Sequence, residues 1–145
     1  LKFYRSQGEI DKADEGRILA HHAALNLSAV PADAVTARSL DALTAYRARY
    51  VEFFGPEALA GLTIGVYQHS AVGRDVLCEI LAALGAKPVA LGRSDRFIPV
   101  DTEALRPEDV ALAAGWAREA RFDAIVSTDG DADRPLVADE AGRFL

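Results

Sequence analysis

Three short apolar runs, "LTIGVY" (62–67), "PVALG" (88–92) and "DAIVST" (123–128), are separated by two stretches of helical periodicity, and this alternation constrains the fold more than any other feature of the chain. None of the runs alternates cleanly between apolar and polar residues. Strands of that kind are buried on both faces, as in a parallel sheet covered on each side by crossover helices. The first intervening helix, over about 72–84, puts Val76, Leu77, Ile80, Leu81 and Leu84 on one face and stops at Gly85. The second starts at Pro107, carries Glu108 and Asp109 in its first turn and runs to about Ala120. The expected fold is therefore α/β, a three-layer βαβαβ unit with a mainly parallel sheet. In "PLVADEAGRFL", the "DEAG" between two apolar pieces predicts a hairpin, with a strand or two lying antiparallel at an edge.

Upstream, "LKFY" reads as a short strand, followed by a turn at Gly8 and a helix from about Lys12 to Leu25 whose acidic start (Asp11, Asp14, Glu15) offsets the helix dipole. "SAVPADAVTARS" has a proline and little periodicity, and is expected to be a linker. Beyond it, Leu40, Leu43, Tyr46, Tyr50 and Phe53 form one apolar stripe of a helix that ends at Gly55-Pro56. The chain begins at Leu1, has no Met and stops at "RFL", so it is expected to be a fragment of a longer protein.

The composition, half apolar, is that of a packed domain. A net charge of -6 argues against a nucleic-acid partner, and no apolar run is long enough to span a bilayer, so neither nucleic acid nor membrane is an expected partner. The lone Cys78, within "VLCEILAAL", reads as a small buried hydrophobe and leaves a cytoplasmic location open. His21 and His22 sit in a helical pattern with no third ligand in view.

Ligands of open α/β sheets collect at the carboxyl ends of strands. Two loops here qualify. In "QHSAVGRD" (68–75), backbone N–H groups could hold an anion with help from His69, Ser70 and Arg74; the plainer alternative is that Ser70 caps a helix and His69 is a surface or half-buried ring. No GxSxG elbow surrounds the Ser-His pair, so a serine hydrolase is not expected. The second loop, "DGDADR" (129–134), sets Asp129, Asp131 and Asp133 at alternate positions with Arg134 behind them. Three crowded carboxylates repel, so a loop that gathers them needs a cation, and oxygen-only ligands suit Mg²⁺. An EF-hand register starting at Asp129 reaches Glu140 at its twelfth position, but Arg134 stands where the sixth-position glycine is needed and Pro135 follows it.

The "DGDADR" loop closely resembles the metal-binding Asp-Gly-Asp-x-Asp-Arg motif of the α-D-phosphohexomutases, the phosphomannomutase and phosphoglucomutase family. "LKFYRSQGEIDKADEGRI" resembles the end of that family's first domain, and the βαβαβ stretch from 62 to 128 resembles its second. The resemblance implies that residues 1–38 are the C-terminal remnant of a first domain with its linker, and that 39–145 form the second, metal-loop domain. It implies Mg²⁺ held by Asp129, Asp131 and Asp133, with Arg134 facing a phosphoserine that exchanges phosphate with a hexose phosphate. Lys2 falls where the family has a lysine proposed for general acid or base transfer to the sugar hydroxyl. The family's Ser-His-Asn-Pro phosphoserine segment and its sugar-reading domains are absent, so the chain alone is expected to be inactive and to bind Mg²⁺ weakly.

Two alternatives stand beside this. A haloacid-dehalogenase-type phosphatase also places Asp-x-Asp after an apolar strand, but wants Thr or Val where Asp133 stands. In a metal-stabilised binding module, the loop would be purely structural.

Overall fold

The computed structural model describes residues 3–25 and 41–145. Lys2, Leu40 and the expected linker "SAVPADAVTARS" lie outside them. The chain divides into two compact units, Leu1–Ser39 and Leu40–Leu145.

The first unit pairs β1 (Tyr4–Arg5) antiparallel to β2 (Gly8–Glu9), so Gly8 lies within the second strand just past the turn, opposite Arg5. Helix α1 (Lys12–Ala24) then starts on a reciprocal capping box: Asp11 accepts from Asp14 N–H at 2.8 Å while Asp14 accepts from Asp11 N–H at 3.2 Å. The buried Asp14 carboxylate also pairs with Arg5 at 2.8 Å and with Arg17. His21 and His22 are exposed in the last turn.

The second unit opens with α2 (Ala42–Phe54) and continues β3 (Thr63–Tyr67), α3 (Arg74–Ala83), β4 (Lys87–Leu91), α4 (Pro107–Glu119), β5 (Ala124–Thr128) and β6 (Pro135–Ala138). The sheet order is β4-β3-β5-β6. β3 runs parallel to both β4 and β5, whereas β6 returns antiparallel to β5, pairing Thr128 with Pro135 and Ile125 with Ala138. The expected edge strand is therefore present, and the 139–142 turn brings Phe144 back to Ala138 through a single antiparallel bridge.

Alternation along the strands divides the core into two layers. Ile64 and Val66 of β3 pack with Leu77, Cys78 and Leu81 of α3. On the other face, Tyr67 of β3 and Ile125 of β5 pack with Trp116 of α4. Gly65 leaves room for that second layer, since a Cβ there would lie 2.7 Å from Leu91 Cδ1 and 3.2 Å from Ile125 Cγ1 and would make those side chains shift. Burial pushes the Cys78 thiol up, so it stays protonated as a packing group.

The expected helix ending at Gly55 is α2, and its apolar stripe is not buried within this unit: no described residue of α2 is buried, and Phe53 is 81% exposed. Tyr46 and Tyr50 stack edge-on, with their hydroxyls 3.0 Å apart, and Arg49 covers both rings.

Topology also locates the functional edge. From β3 the chain crosses to β4 on one side, then back over to β5 on the other, so the switch point lies between β3 and β5. The loops after β3, β4 and β5 all emerge at that edge.

Candidate metal and phosphoryl site

The acidic residues occupy the hairpin loop between β5 and β6. Asp129 leaves the buried end of β5, and its Oδ1 accepts N–H bonds from Asp133 at 3.1 Å and Arg134 at 3.2 Å. Asp129 N–H bonds back to the Arg134 carbonyl at 3.2 Å, closing the loop on itself. Ala132 sits at φ 65° to make the turn. Strands on both sides of the loop rule out the EF-hand arrangement, which requires helices.

One oxygen each of Asp129, Asp131 and Asp133 lie within 4.8 Å of one another, Asp129 buried and the other two exposed. Around an octahedral Mg²⁺ adjacent ligands are about 2.9 Å apart and opposite ones about 4.2 Å, so the exposed Asp131 and Asp133 side chains would turn inward toward Asp129 to ligate one. Their donor chemistry is oxygen-only and anionic, as a hard divalent cation prefers. Burial on its own raises the Asp129 carboxyl, but hydrogen bonds from Arg134 and Asp133 and the Arg134 charge hold it below the usual carboxylate range. Asp133 is pushed the other way, first by a side-chain hydrogen bond with Asp129 and then by the charges of Asp131 and Asp129. That mutual repulsion is what a bound cation relieves.

Arg134 Nε approaches Asp129 Oδ2 at 3.2 Å and Asp133 at 3.7 Å, while Nη1 pairs with Glu103 at 2.9 Å. Glu103 first, then the two aspartates, raise its already high pKa. Val100, Asp101, Thr102, Glu103, Asp129 and Arg134 line a cleft of about 270 Å³. Glu103 is thus a site residue that the sequence reading missed. A signal was present: "VDTEALRP" follows β4 and belongs to the same carboxyl edge as the other two loops.

The side chains of His69, Ser70 and Arg74 in the "QHSAVGRD" loop are engaged within the protein. His69 is completely buried, and its Nε2 lies 2.9 Å from the Thr128 carbonyl. Ser70 does not cap α3, whose N-cap is Gly73; its Oγ instead accepts from Ile98 N–H at 2.8 Å. Arg74 donates to the carbonyls of His69 (3.0 Å) and Ser94 (2.7 Å). Asp129, Asp131, Asp133 and Arg134 are thus together, and Lys2 lies outside the described residues.

Residues 39–142 match the family described as "Phosphoglucomutase/phosphomannomutase, alpha/beta/alpha domain II". A phosphomannomutase of Sinorhizobium fredii is 47% identical over 149 residues, and one of Salmonella muenchen is 43% identical over 148. Both alignments cover all of this chain, and the chain spans only 31% and 30% of those curated relatives. A phosphoglucosamine mutase of Parvibaculum lavamentivorans is 32% identical across 68% of this chain and 23% of its own length. Among solved structures, a phosphoglucomutase/phosphomannomutase family protein from Burkholderia thailandensis has the same fold, with a TM-score of 0.61 at 20% identity, covering 74% of this chain and 23% of that one.

Proposed function

The chain belongs to the phosphoglucomutase/phosphomannomutase family, and we propose that it is the metal-loop portion of a phosphohexomutase that interconverts hexose 6-phosphate and hexose 1-phosphate. The substrate we assign is mannose phosphate, because the two relatives that align over the whole chain are phosphomannomutases. The carrying observation is the gathering of three aspartate oxygens within 4.8 Å beside a guanidinium that faces a polar cleft.

In this reading the phosphoryl group passes between an enzyme serine and the sugar, through a bisphosphate intermediate. Asp129, Asp131 and Asp133 would hold Mg²⁺, which when bound would supply positive charge to offset that on the phosphoryl oxygens. Arg134 offers N–H donors on the same side, preorganised by Asp129 and Glu103 so that little reorganisation is needed during transfer. Asp129, fixed by two backbone N–H groups, sets the loop's geometry. Lys2 is assigned proton transfer at the sugar hydroxyl. Ser-His-Asn-Pro does not occur within these 145 residues, so the serine and the sugar-reading groups are assigned to the rest of the intact protein, and the chain alone is expected to be inactive. Residues 1–38 are assigned to the end of a first domain and 39–145 to the second. No helix among the described residues is long and apolar enough to cross a membrane. A cytoplasmic location is part of the same proposal.

Family membership sets aside the haloacid-dehalogenase reading. The test is phosphate mapping on the intact protein after turnover of mannose 1-phosphate. Acid-stable phosphate on a serine is expected, with Asp131→Asn folded but inactive. Acid-labile phosphate on Asp129, or unimpaired turnover by Asp131→Asn, would overturn the assignment.

A further inference from the structure

Among the described non-glycine residues, only His69 (φ 29°) and Ala132 (φ 65°) have positive φ, and they lie in the two loops that meet at the switch point. Backbone in that region costs a non-glycine residue on the order of 1 kcal/mol or more, and such residues persist where the surroundings over-determine them. His69 carries a second burden. Its ring is wholly buried, yet Nδ1 has no hydrogen-bond partner. A phenyl ring would pack there without stranding a polar atom, so the imidazole must be placed for its other nitrogen.

That nitrogen faces an acceptor. Nε2 lies 2.9 Å from the Thr128 carbonyl, and only an Nε2–H tautomer can bond to it. Thr128 is the last residue of β5, immediately before Asp129. Two further contacts follow in register along the acidic loop. Val72 N–H donates to the Gly130 carbonyl at 3.0 Å, and a Cβ on Gly73 would lie 2.7 Å from the Ala132 Cβ. From behind, the His69 carbonyl is fixed by Ser94 N–H at 2.9 Å and by Arg74 Nη1 at 3.0 Å.

We infer that His69 is a positioning residue for the phosphoryl-transfer site: its Nε2–H holds the Thr128 carbonyl, and residues 69–73 form a template against which residues 128–132 are set, fixing where β5 releases Asp129. The inference rests on the metal-loop reading above and adds to it. His69 touches neither metal nor substrate; it acts through the backbone of the loop that does.

The test uses the intact protein, Mn²⁺ as a paramagnetic probe of the metal site, and mannose 1-phosphate turnover. His69→Phe keeps the ring and removes the donor, leaving the Thr128 carbonyl only the longer 3.3 Å contact from Ser127 Oγ; loss of one buried hydrogen bond is worth about a factor of ten. Mn²⁺ affinity and kcat should both fall about tenfold, with KM for the sugar phosphate unchanged. His69→Gln, whose amide can present an N–H near the position of Nε2, should recover most of both, which a general packing role would not produce. In ¹⁵N NMR of the wild type, the His69 ring proton should reside on Nε2.

A steric pair tests the same template without touching the histidine, and decides the matter if His69→Phe does not fold. Gly73→Ala drives a methyl into Ala132 and should weaken Mn²⁺ binding, and adding Ala132→Gly should restore it. Wild-type Mn²⁺ affinity and kcat in folded His69→Phe, or no recovery in the Gly73→Ala/Ala132→Gly double variant, would overturn the inference. Asp131→Asn separates the two readings. If it abolishes Mn²⁺ binding while His69→Phe and Gly73→Ala leave it intact, only the template fails; if it too binds Mn²⁺ normally, the metal-loop reading fails.

Discussion

Replacing Asp109 with Asn should destabilise the protein without altering a single residue of the acidic loop. Asp109 is fully buried in the first turn of α4, where its carboxylate accepts from the Tyr67 hydroxyl at 3.0 Å and from Arg106 Nε and Nη2 at 2.8 and 2.9 Å. These bonds tie the start of α4 to the end of β3, directly before the His69 loop. Asn keeps the shape but presents an NH₂ to one of the donors and leaves the guanidinium unneutralised. Breaking a buried ion pair by removing one partner costs about 3–5 kcal/mol. Arg106 keeps 35% of its side chain in solvent and can turn outward, so the expected loss is lower, about 2–3 kcal/mol. That corresponds to a Tm decrease of about 10 °C for a domain of this size.

The pH dependence has a definite sign. Burial raises the Asp109 carboxyl, but hydrogen bonds from Arg106 and Tyr67 outweigh it and hold the group below the usual carboxylate range. A depressed folded pKa stabilises above the unfolded value, about 3.9, and the contribution is lost as pH falls through the folded value. Urea unfolding should therefore show a constant gap between wild type and Asp109→Asn from pH 7 to about 5, closing below about 4. Equal stability at pH 7, or a gap that widens in acid, would refute the assignment of Asp109 as a buried, charged anchor.

Other consequences follow from the same geometry. Burial first, and the Asp109 hydrogen bond second, push the Tyr67 phenol up to about 12, so stability should be lost between about pH 10 and 12, because Tyr67 ionises first in the unfolded chain, and the loss should shrink in Tyr67→Phe, read by urea unfolding across that range. Gly142 stands at φ 74°, where a Cβ would collide with the Ala113 carbonyl and lie 2.8 Å from Ala114 N; Gly142→Ala should cost about 3 kcal/mol in chemical denaturation, since neither the turn's backbone nor the helix can yield. Arg134→Lys cannot reproduce the fork that spans Asp129, Asp133 and Glu103, and kcat of the intact protein should fall about 100-fold with stability unchanged. Glu103→Gln releases one side of that fork and should lower kcat by only a few-fold, about the worth of an exposed ion pair.

What could be read in the sequence was what local pattern dictates. The three apolar runs are β3, β4 and β5, and Gly85 and Pro107 bound the helices as their conformational preferences require; burial on both faces accounts for the inner strands β3 and β5, whereas β4 lies at the sheet edge with no buried residue, so its apolar run marked a strand but not its place. The acidic loop was visible because Asp alternating with small residues crowds negative charge at a strand end, where a cation relieves it. Residues whose meaning comes from distant partners were not visible. The segment after β4 pointed to the right edge, but that Glu103 in particular meets Arg134 is decided only after α4 carries the chain across the sheet, and nothing in "QHS" tells that the imidazole is buried against a carbonyl 59 residues away. The α2 stripe shows the same limit: helical spacing of Leu43, Tyr46, Tyr50 and Phe53 identifies a helix and a face, but not whether this unit covers it.

The central claim is that Asp129, Asp131, Asp133 and Arg134 serve phosphoryl transfer to and from a hexose phosphate, and ³¹P NMR of the intact protein with mannose 1-phosphate and Mg²⁺ tests it most directly. A mannose 6-phosphate resonance should grow with the wild type, and should be absent after chelation or with Asp131→Asn. Accumulation of inorganic phosphate in its place, or equal conversion by Asp131→Asn, would contradict the account.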